Sequence, residues 1–385
     1  MKDNIDIGQL YRMPWSKNDN PNGWVEITTD CNLKCPGCYR GCNRQRHSPE
    51  HEDLHKIKEQ ILQLKEIRNC QTISVSGGEP LLHPQVMEVV SFINELGLKV
   101  LLFTNGKLLT KEKLIQLKEY GMTGVIIRVD ALREEGEMSE ASLNNLRQKY
   151  SDLVDQVGGI FLGFTCVINK TNIDQIPDII KWMQKNSRKV NLLVLILMRQ
   201  VIFEEQEKLN ATDFVKLSDL HRVISDQLPD LKYNAFLGSQ AEDMKIKWLY
   251  SIWFSLDRKV LTYANKRFIE LIQSIYHFKM GKYVYILNKQ KYVLSIFKLI
   301  SLGIIGAGMN TVLKKYILAV MRKPFLLFKK PHMQVLTIVD PPSFVNGERD
   351  LCDACPDAIL YNDRLVPSCC LEEIKRFGKT YRLDL

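Results

Sequence analysis

Between residues 23 and 197 the chain alternates two hydrophobic rhythms. Short apolar runs at 24–29, 72–76, 99–104, 124–130, 160–168 and 190–197 are rich in Val, Ile, Leu and aromatics and read as strands buried on both faces. Amphipathic stretches at 52–68, 84–96, 111–120, 139–150 and 173–185 carry helical spacing between them. Repeated strand–helix units of this length predict a parallel sheet with right-handed crossovers. Six units make an α/β fold of partial, TIM-like (β/α)6 type rather than a closed eight-unit barrel. In such folds chemistry gathers at the C-terminal ends of the strands.

Polar punctuation falls at those ends. Cys31-Asn-Leu-Lys-Cys35-Pro-Gly-Cys38 follows the first strand, Gly77-Gly78-Glu79-Pro80 the second, Asn105 the third, and Arg128 and Asp130 close the fourth. Three thiols within eight residues of one loop suit an iron–sulfur cluster, and a four-iron cluster held by three cysteines leaves one iron open.

After residue 237 the rhythm is lost. Runs at 248–254 and 268–276 read as amphipathic helices, and 299–313 is an uncharged run of 15 residues. As a helix that run covers about 22 Å, too short for a hydrocarbon core of about 30 Å. The expected organisation is a lead-in (1–22), the α/β core (23–236), a mostly helical basic apolar segment (237–338) and a C-terminal cysteine module (339–385).

Composition changes this picture in two places. The net charge of +9 is concentrated: 271–339 has no Asp or Glu and eleven Lys and Arg, which leaves the remainder slightly acidic. Such a block reads either as a membrane-surface segment, attracted to anionic headgroups by about 1 kcal/mol per basic residue near them, or as a helical domain with solvated lysines. Nucleic acid fits less well, because the block is rich in bulky aliphatics. The ten cysteines cluster at 31–42 and 352–370, with Cys70 and Cys166 isolated as ordinary core residues. With no secretory signal at the first residues, clustered thiols point to metal in a reducing, cytoplasmic setting, with peripheral attachment to the membrane's inner face as an extension.

The tail repeats the metal theme. Cys352-Asp-Ala-Cys355-Pro is followed by two apolar runs around Asn362-Asp363, which read as a β-hairpin returning Cys369 and Cys370 to the first pair. Cys352, Cys355 and Cys369, with Cys370 as the alternate, form a candidate second site for an iron–sulfur cluster or structural zinc. His51-Glu-Asp-Leu-His55 matches a zinc-hydrolase spacing but falls on a solvated helix start, and Asp219-Leu-His221 lacks the glycine of a cobalamin motif. Cys42 is a neighbouring thiol rather than a required ligand.

The Cys-x3-Cys-x2-Cys loop with Gly-Gly-Glu-Pro one strand later resembles the radical S-adenosylmethionine (SAM) superfamily over residues 23–196. The resemblance implies a [4Fe–4S] cluster on Cys31, Cys35 and Cys38, with SAM chelating the open iron. It also implies SAM contacts from Gly77, Gly78, Glu79, Pro80, Asn105, Arg128 and Asp130. One-electron cleavage then gives methionine and a 5′-deoxyadenosyl radical, with an electron donor such as flavodoxin or ferredoxin. The family's aromatic before the third cysteine is replaced by Gly37, and Tyr39 after it is the candidate adenine contact. The tail and basic middle resemble lipid-acting radical SAM proteins such as tetraether-lipid synthases, which implies a hydrophobic or lipid substrate. A peptide-modifying enzyme with an auxiliary cluster, and a non-catalytic iron–sulfur or SAM sensor, are the alternatives.

Overall fold

The computed structural model describes residues 5–42, 50–133, 138–199, 214–242, 244–293 and 310–380. Six parallel strands form in chain order: β2 (Asn22–Glu26), β3 (Thr72–Ser76), β4 (Lys99–Thr104), β5 (Met122–Arg128), β6 (Phe161–Ile168) and β7 (Leu192–Leu197). Their crossovers are α1 (Leu54–Arg68), α2 (Val86–Glu95), α3 (Lys111–Glu119), α4 (Glu140–Val157) and α5 (Ile176–Lys185). The parallel (β/α) core is as expected.

Side-chain alternation sorts this core into two layers. Val25, Ile73, Val100, Val125, Leu162 and Leu193 face the helices, while Leu101, Ile126 and Phe161 face inward. Helix starts are set by side-chain caps: Asp53 accepts from the backbone N–H groups of His55 and Lys56, Thr110 from Lys113 and Ser139 from Ser142. In α5, Ile176, Ile179, Ile180 and Met183 fall on one face at i, i+3, i+4 and i+7, and that face is buried.

The sheet continues where loss of the rhythm suggested helix. The aromatic run at 248–254 is not an amphipathic helix. It is the middle of β9 (Ile246–Leu256), flanked by β8 (Ala235–Gly238) and β11 (His332–Val339), with β10 (Lys259–Tyr263) off its end. Trp253 packs with the outer layer, Trp248 and Phe254 with the inner one. Like the core strands, β9 is covered on both faces, but no helical stretch alternates with it, and an apolar run without that context fits helix and strand alike. The run at 268–276 is helical as expected, within α7 (Lys266–Met280). Residues 299–309 of the uncharged run lie outside the described residues, and Asn310–Arg322 forms α8.

β11 runs parallel to β7 and antiparallel to β9, so the full order is β1 (Tyr11–Arg12), β8, β9, β11, β7, β6, β5, β4, β3, β2. Residues 281–293, which follow α7, close the N-terminal end of this barrel. Lys282 donates to the Cys70 carbonyl (2.8 Å), Lys289 to that of Lys189 (2.9 Å), and Lys99 at the start of β4 to that of Ile286 (2.5 Å). Tyr292 packs on Phe161 with ring centroids 5.2 Å apart.

The C-terminal module spans the seam between the two edge strands. Asn22 and Arg68 donate to the carbonyls of Pro356 (3.1 Å) and Cys355 (2.8 Å) on the β2 side. Arg12 pairs with Asp353 (2.8 Å), and Ser239 bridges Cys352, on the other side. The expected hairpin is present as β12 (Ala358–Tyr361) and β13 (Arg364–Pro367), with Asn362 (φ 47°) and Asp363 (φ 56°) at its turn. Among the described residues, no helix is long and apolar enough to cross a membrane.

Arg68 is 1% exposed and links α1 to the seam. Arg68→Leu should cost about 1–3 kcal/mol by leaving a buried carbonyl unpaired. The checks are a lowered urea midpoint and faster proteolytic release of the C-terminal segment.

Candidate functional site

The site is assembled by backbone packing at the C-terminal ends of β2, β3 and β4. Gly78 N–H donates to the Thr28 carbonyl (2.8 Å) and Glu79 N–H to that of Asp30 (2.7 Å), locking the β3 exit against the residues that lead into Cys31. A Cβ on Gly77 would sit 2.3 Å from the Thr28 oxygen, and one on Gly78 2.1 Å from that of Asp30. Gly77 has a φ of +141°. The two glycines therefore permit close approach of two backbones, beyond any approach to a ligand.

Glu79 extends the clamp to β4. Its Oε1 accepts from Thr104 Oγ1 (2.8 Å) and Leu81 N (3.1 Å), and its Oε2 from Asn105 N (2.7 Å). The carboxylate is fully buried, and burial pushes its pKa upward against those donors. Pro80 opens a one-turn 3-10 helix for which Glu79 is the cap. Asn105 then holds the cysteine loop: its Nδ2 donates to Asn32 Oδ1 (2.7 Å) and lies 4.0 Å from Cys31 Sγ.

Arg128 and Asp130, at the β5 exit, form a bidentate ion pair with contacts of 2.8 and 3.3 Å. Asp130 is fully buried and also accepts from Leu132 N and Val167 N, so its carboxylate fixes the local turn. The Arg128 charge favours the thiolate forms of Cys35 and Cys38.

The thiols share one neighbourhood. Hydrogen bonds from Cys42 lower the pKa values of Cys31 and Cys38, the latter to about 6, and the same bonds push Cys42 upward. Burial pushes Cys35 up to about 11, and its Sγ donates to the Arg133 carbonyl (3.2 Å). Among the described residues, no three His, Cys, Asp or Glu side chains are posed around a single metal ion. A four-iron cluster is larger and holds its ligands further apart. Three loop thiols near an arginine, two of them with lowered pKa values, are a donor set that fits such a group.

Gly37 has a φ of +67°, and a Cβ there would lie 2.7 Å from Met198 Cε. Met198, just past β7, fills the space that an aromatic at position 37 would need. Tyr39 turns into the barrel, where its hydroxyl meets that of Ser76, and burial raises its pKa well above the ordinary value.

Arg40 is the component that sequence reading missed. Its Nε pairs with Glu26 Oε2 (2.8 Å) and its Nη1 with Glu372 Oε1 (2.5 Å), with the arginine side chain 4% exposed. Glu372 lies on α9 (Leu371–Phe377), so this pair ties the cysteine loop to the C-terminal module. Nothing local in Tyr39-Arg40-Gly41 announces that role.

Near the module, Cys352 hydrogen-bonds Cys355, and the Sγ atoms of Cys369 and Cys370 are 4.0 Å apart. Cys355 and Cys352 both lie close enough to Cys369 to feel its charge. A hydrogen bond from Cys369, then the Arg199 charge, lowers Cys370 to about 6. A cavity of about 670 Å³ opens beside it, walled by Leu197, Met198, Val215, Ile246 and Phe344, with Arg199 at its edge.

The two rejected motifs are accounted for structurally. His51 precedes α1, which begins at Leu54, and its Nδ1 lies 2.9 Å from Thr28 Oγ1, so it shares no helix face with His55. Asp219 accepts from Lys216 N (3.1 Å) at the start of α6 (Leu217–Gln227).

Residues 25–196 match the family described as the radical SAM superfamily. They are a radical SAM domain. Proteins of this superfamily bind a [4Fe–4S] cluster and S-adenosylmethionine. The chain is 28% identical over 178 residues to Fe-coproporphyrin III synthase of Methanosarcina barkeri, covering 46% of this chain and 44% of that protein. It is 30% identical over 159 residues to PqqA peptide cyclase of Bradyrhizobium diazoefficiens, covering 41% of each. Both matches span less than half of the relative's length. Streptococcus suis SuiB bound to S-adenosylmethionine aligns with a TM-score of 0.41 and 17% identity, over 55% of this chain and 48% of that one. The strands, clamp and cysteine loop described above lie within or directly beside the radical SAM domain, whereas β8–β11 and the module lie beyond it.

Gly78→Val should force the Asp30–Cys31 backbone away from the β3 exit. The expected outcome is faster alkylation of Cys31 and Cys38, read by mass spectrometry, with the helix content unchanged by circular dichroism.

Proposed function

We propose that the protein is a radical SAM enzyme that takes a hydrogen atom from an apolar, lipid-like substrate held beside the cysteine loop. The observation that carries this reading is the clamp of Gly77–Pro80 onto Thr28–Asp30, which presents Cys31, Cys35 and Cys38 next to Asn105 and Arg128. When bound, the cluster and SAM supply a 5′-deoxyadenosyl radical by one-electron cleavage of the sulfonium. The chain's own residues then divide the work. Cys31, Cys35 and Cys38 would ligate iron, Arg128 favours the thiolates of Cys35 and Cys38, and Glu79 and Asn105 hold the loop and would serve the methionine end of SAM. Tyr39 lines the barrel interior under the loop.

The apolar walls of the cavity at Leu197, Met198 and Val215 support a hydrophobic substrate, and Met198 touches both that cavity and the loop. Cys352, Cys355 and Cys369, with Cys370 as alternate, are assigned to a second iron–sulfur cluster or a zinc ion, and a flavodoxin or ferredoxin supplies the electron. The outcome is oxidation or formation of a C–C or C–S bond on the substrate, at the cytoplasmic face of a membrane. A peptide substrate is the second reading, favoured by the similarity to a peptide cyclase.

Anaerobically reconstituted protein with dithionite should form 5′-deoxyadenosine and methionine from SAM. Cys31→Ala, Cys35→Ala or Cys38→Ala should abolish this. Cys352→Ala or Cys355→Ala should lower the metal count yet retain SAM cleavage. An intact cluster that yields no 5′-deoxyadenosine would favour a sensor over an enzyme.

A further inference from the structure

The surface that joins α8 to β11 is built unlike the rest of the molecule. Val312 and Tyr316 bury one face of α8, and Tyr316 Oη donates to the carbonyls of Leu327 and Lys329 (3.4 Å each), fastening the 3-10 turn Pro324–Phe328 to the helix. This unit exposes Met321 (72%), Phe325 (51%), Leu327 (54%) and Phe328 (85%). Large apolar side chains grouped at such exposure mark an interaction surface. Lys314, Lys315, Arg322, Lys323, Lys329 and Lys330 surround them, all exposed, and none forms an ion pair among the described residues. No acidic residue occurs between 271 and 339.

We propose that this surface docks on an anionic lipid bilayer, and that it does so with the closed end of the barrel, so that the cysteine loop faces away from the membrane. Apolar side chains ringed by unpaired cations complement a layer of anionic headgroups over acyl chains. A second copy of the chain would set six cations against six like charges, and a nucleic acid would leave Phe328 and Met321 without an apolar partner.

The orientation follows from strand direction and rests on the radical site being where the proposed function puts it. α8 packs on β10, whose Tyr263 pairs with Trp253 near the C-terminal end of antiparallel β9, and Ser255 of β9 pairs with His332 at the start of β11. β11 is parallel to β7, so this is the end at which the parallel strands begin. Phe278, 90% exposed, and Met280, 60% exposed, lie at the same end, where Asn69 after α1 donates to the Gly281 carbonyl (2.6 Å). The cysteine loop, Gly77–Pro80 and Asn105 lie where those strands finish, about 20 Å away for six residues of strand. Docking and catalysis thus occupy opposite ends of the barrel, and a lipid-like substrate must be withdrawn from the bilayer to reach the cysteine loop.

Co-sedimentation of the whole protein with phosphatidylcholine vesicles, with and without phosphatidylglycerol, tests the docking. Binding should require phosphatidylglycerol and fall as salt rises. The double variant Met321→Glu/Phe328→Glu should bind roughly tenfold more weakly or worse, since it removes apolar contact and adds repulsion. Its 5′-deoxyadenosine formation in vesicle-free solution should be unchanged, which separates loss of docking from failure of the radical reading.

Orientation is read by tryptophan quenching with brominated phosphatidylglycerol. Trp15, Trp24, Trp248 and Trp253 are buried and Trp182 is half-buried on α5 against Phe164, so the unsubstituted protein should show little quenching and sets the baseline. Phe328→Trp should add a strongly quenched signal, and Met138→Trp, an exposed position beyond the β5 exit, should not. Equal quenching at Met138, no quenching at Phe328, binding indifferent to anionic lipid, or a dimer or nucleic-acid complex lost in the double variant without vesicle binding would each overturn the proposal.

Discussion

The buried ion pairs of Arg40 hold three parts of this protein in one arrangement. A guanidinium two residues beyond the Cys38 thiol meets Glu26 at the C-terminal end of β2 and Glu372 from α9. Such a charge is tolerated inside a protein only when its partners are supplied, and removal of one partner typically costs about 3–5 kcal/mol. The cysteine loop, the barrel wall and the C-terminal module must therefore be in place together. Arg199, Arg349 and Glu373 repeat the device at the β7 exit, beside Cys370. The module does more than carry cysteines: it closes the seam left by an open sheet and completes the charge balance of the loop.

Gly77 and Gly78 show how a short motif can serve structure and chemistry at once. The absence of Cβ atoms lets the β3 exit hydrogen-bond the backbone that enters the cysteine loop, and Glu79 passes the constraint to β4 through Thr104 and Asn105. The loop is thus positioned by main-chain contacts that only glycine permits at 77 and 78, completed by the Glu79 and Asn105 side chains. Preorganisation of this kind is what a site needs when it must hold a cofactor in one pose.

The basic segment has two distinct jobs at the closed end. Lys282 and Lys289 donate to carbonyls at the strand starts, and burial together with neighbouring cations depresses the Lys289 pKa to about 8. These lysines are structural. The exposed cations of α8 and the following turn are not used in this way. A charge run read from sequence as one block is therefore divided by burial into a barrel plug and a surface.

The sequence by itself determined the parallel core and the placement of its chemistry. Strands at 72–76 and 99–104 match their observed limits because each is a short run rich in β-branched and aliphatic residues that ends at a Gly or Asn-Gly turn and is followed by a helical stretch, and local pattern suffices there. The cysteine loop, Gly77–Pro80, Asn105, Arg128 and Asp130 converge as the strand–helix alternation implied, since a parallel sheet places all its strand exits on one side. Tertiary structure alone decided the rest. β9 was unreadable because no helical stretch alternates with it, and a continuous apolar run outside that rhythm fits a buried helix as well as a strand. Arg40 was invisible because its partners lie 14 residues before it and 332 residues after it, and Met198 opposite Gly37 is likewise a contact between distant segments. Sequence encodes local periodicity directly, whereas pairing between remote charges and closure of a seam exist only once the chain is folded.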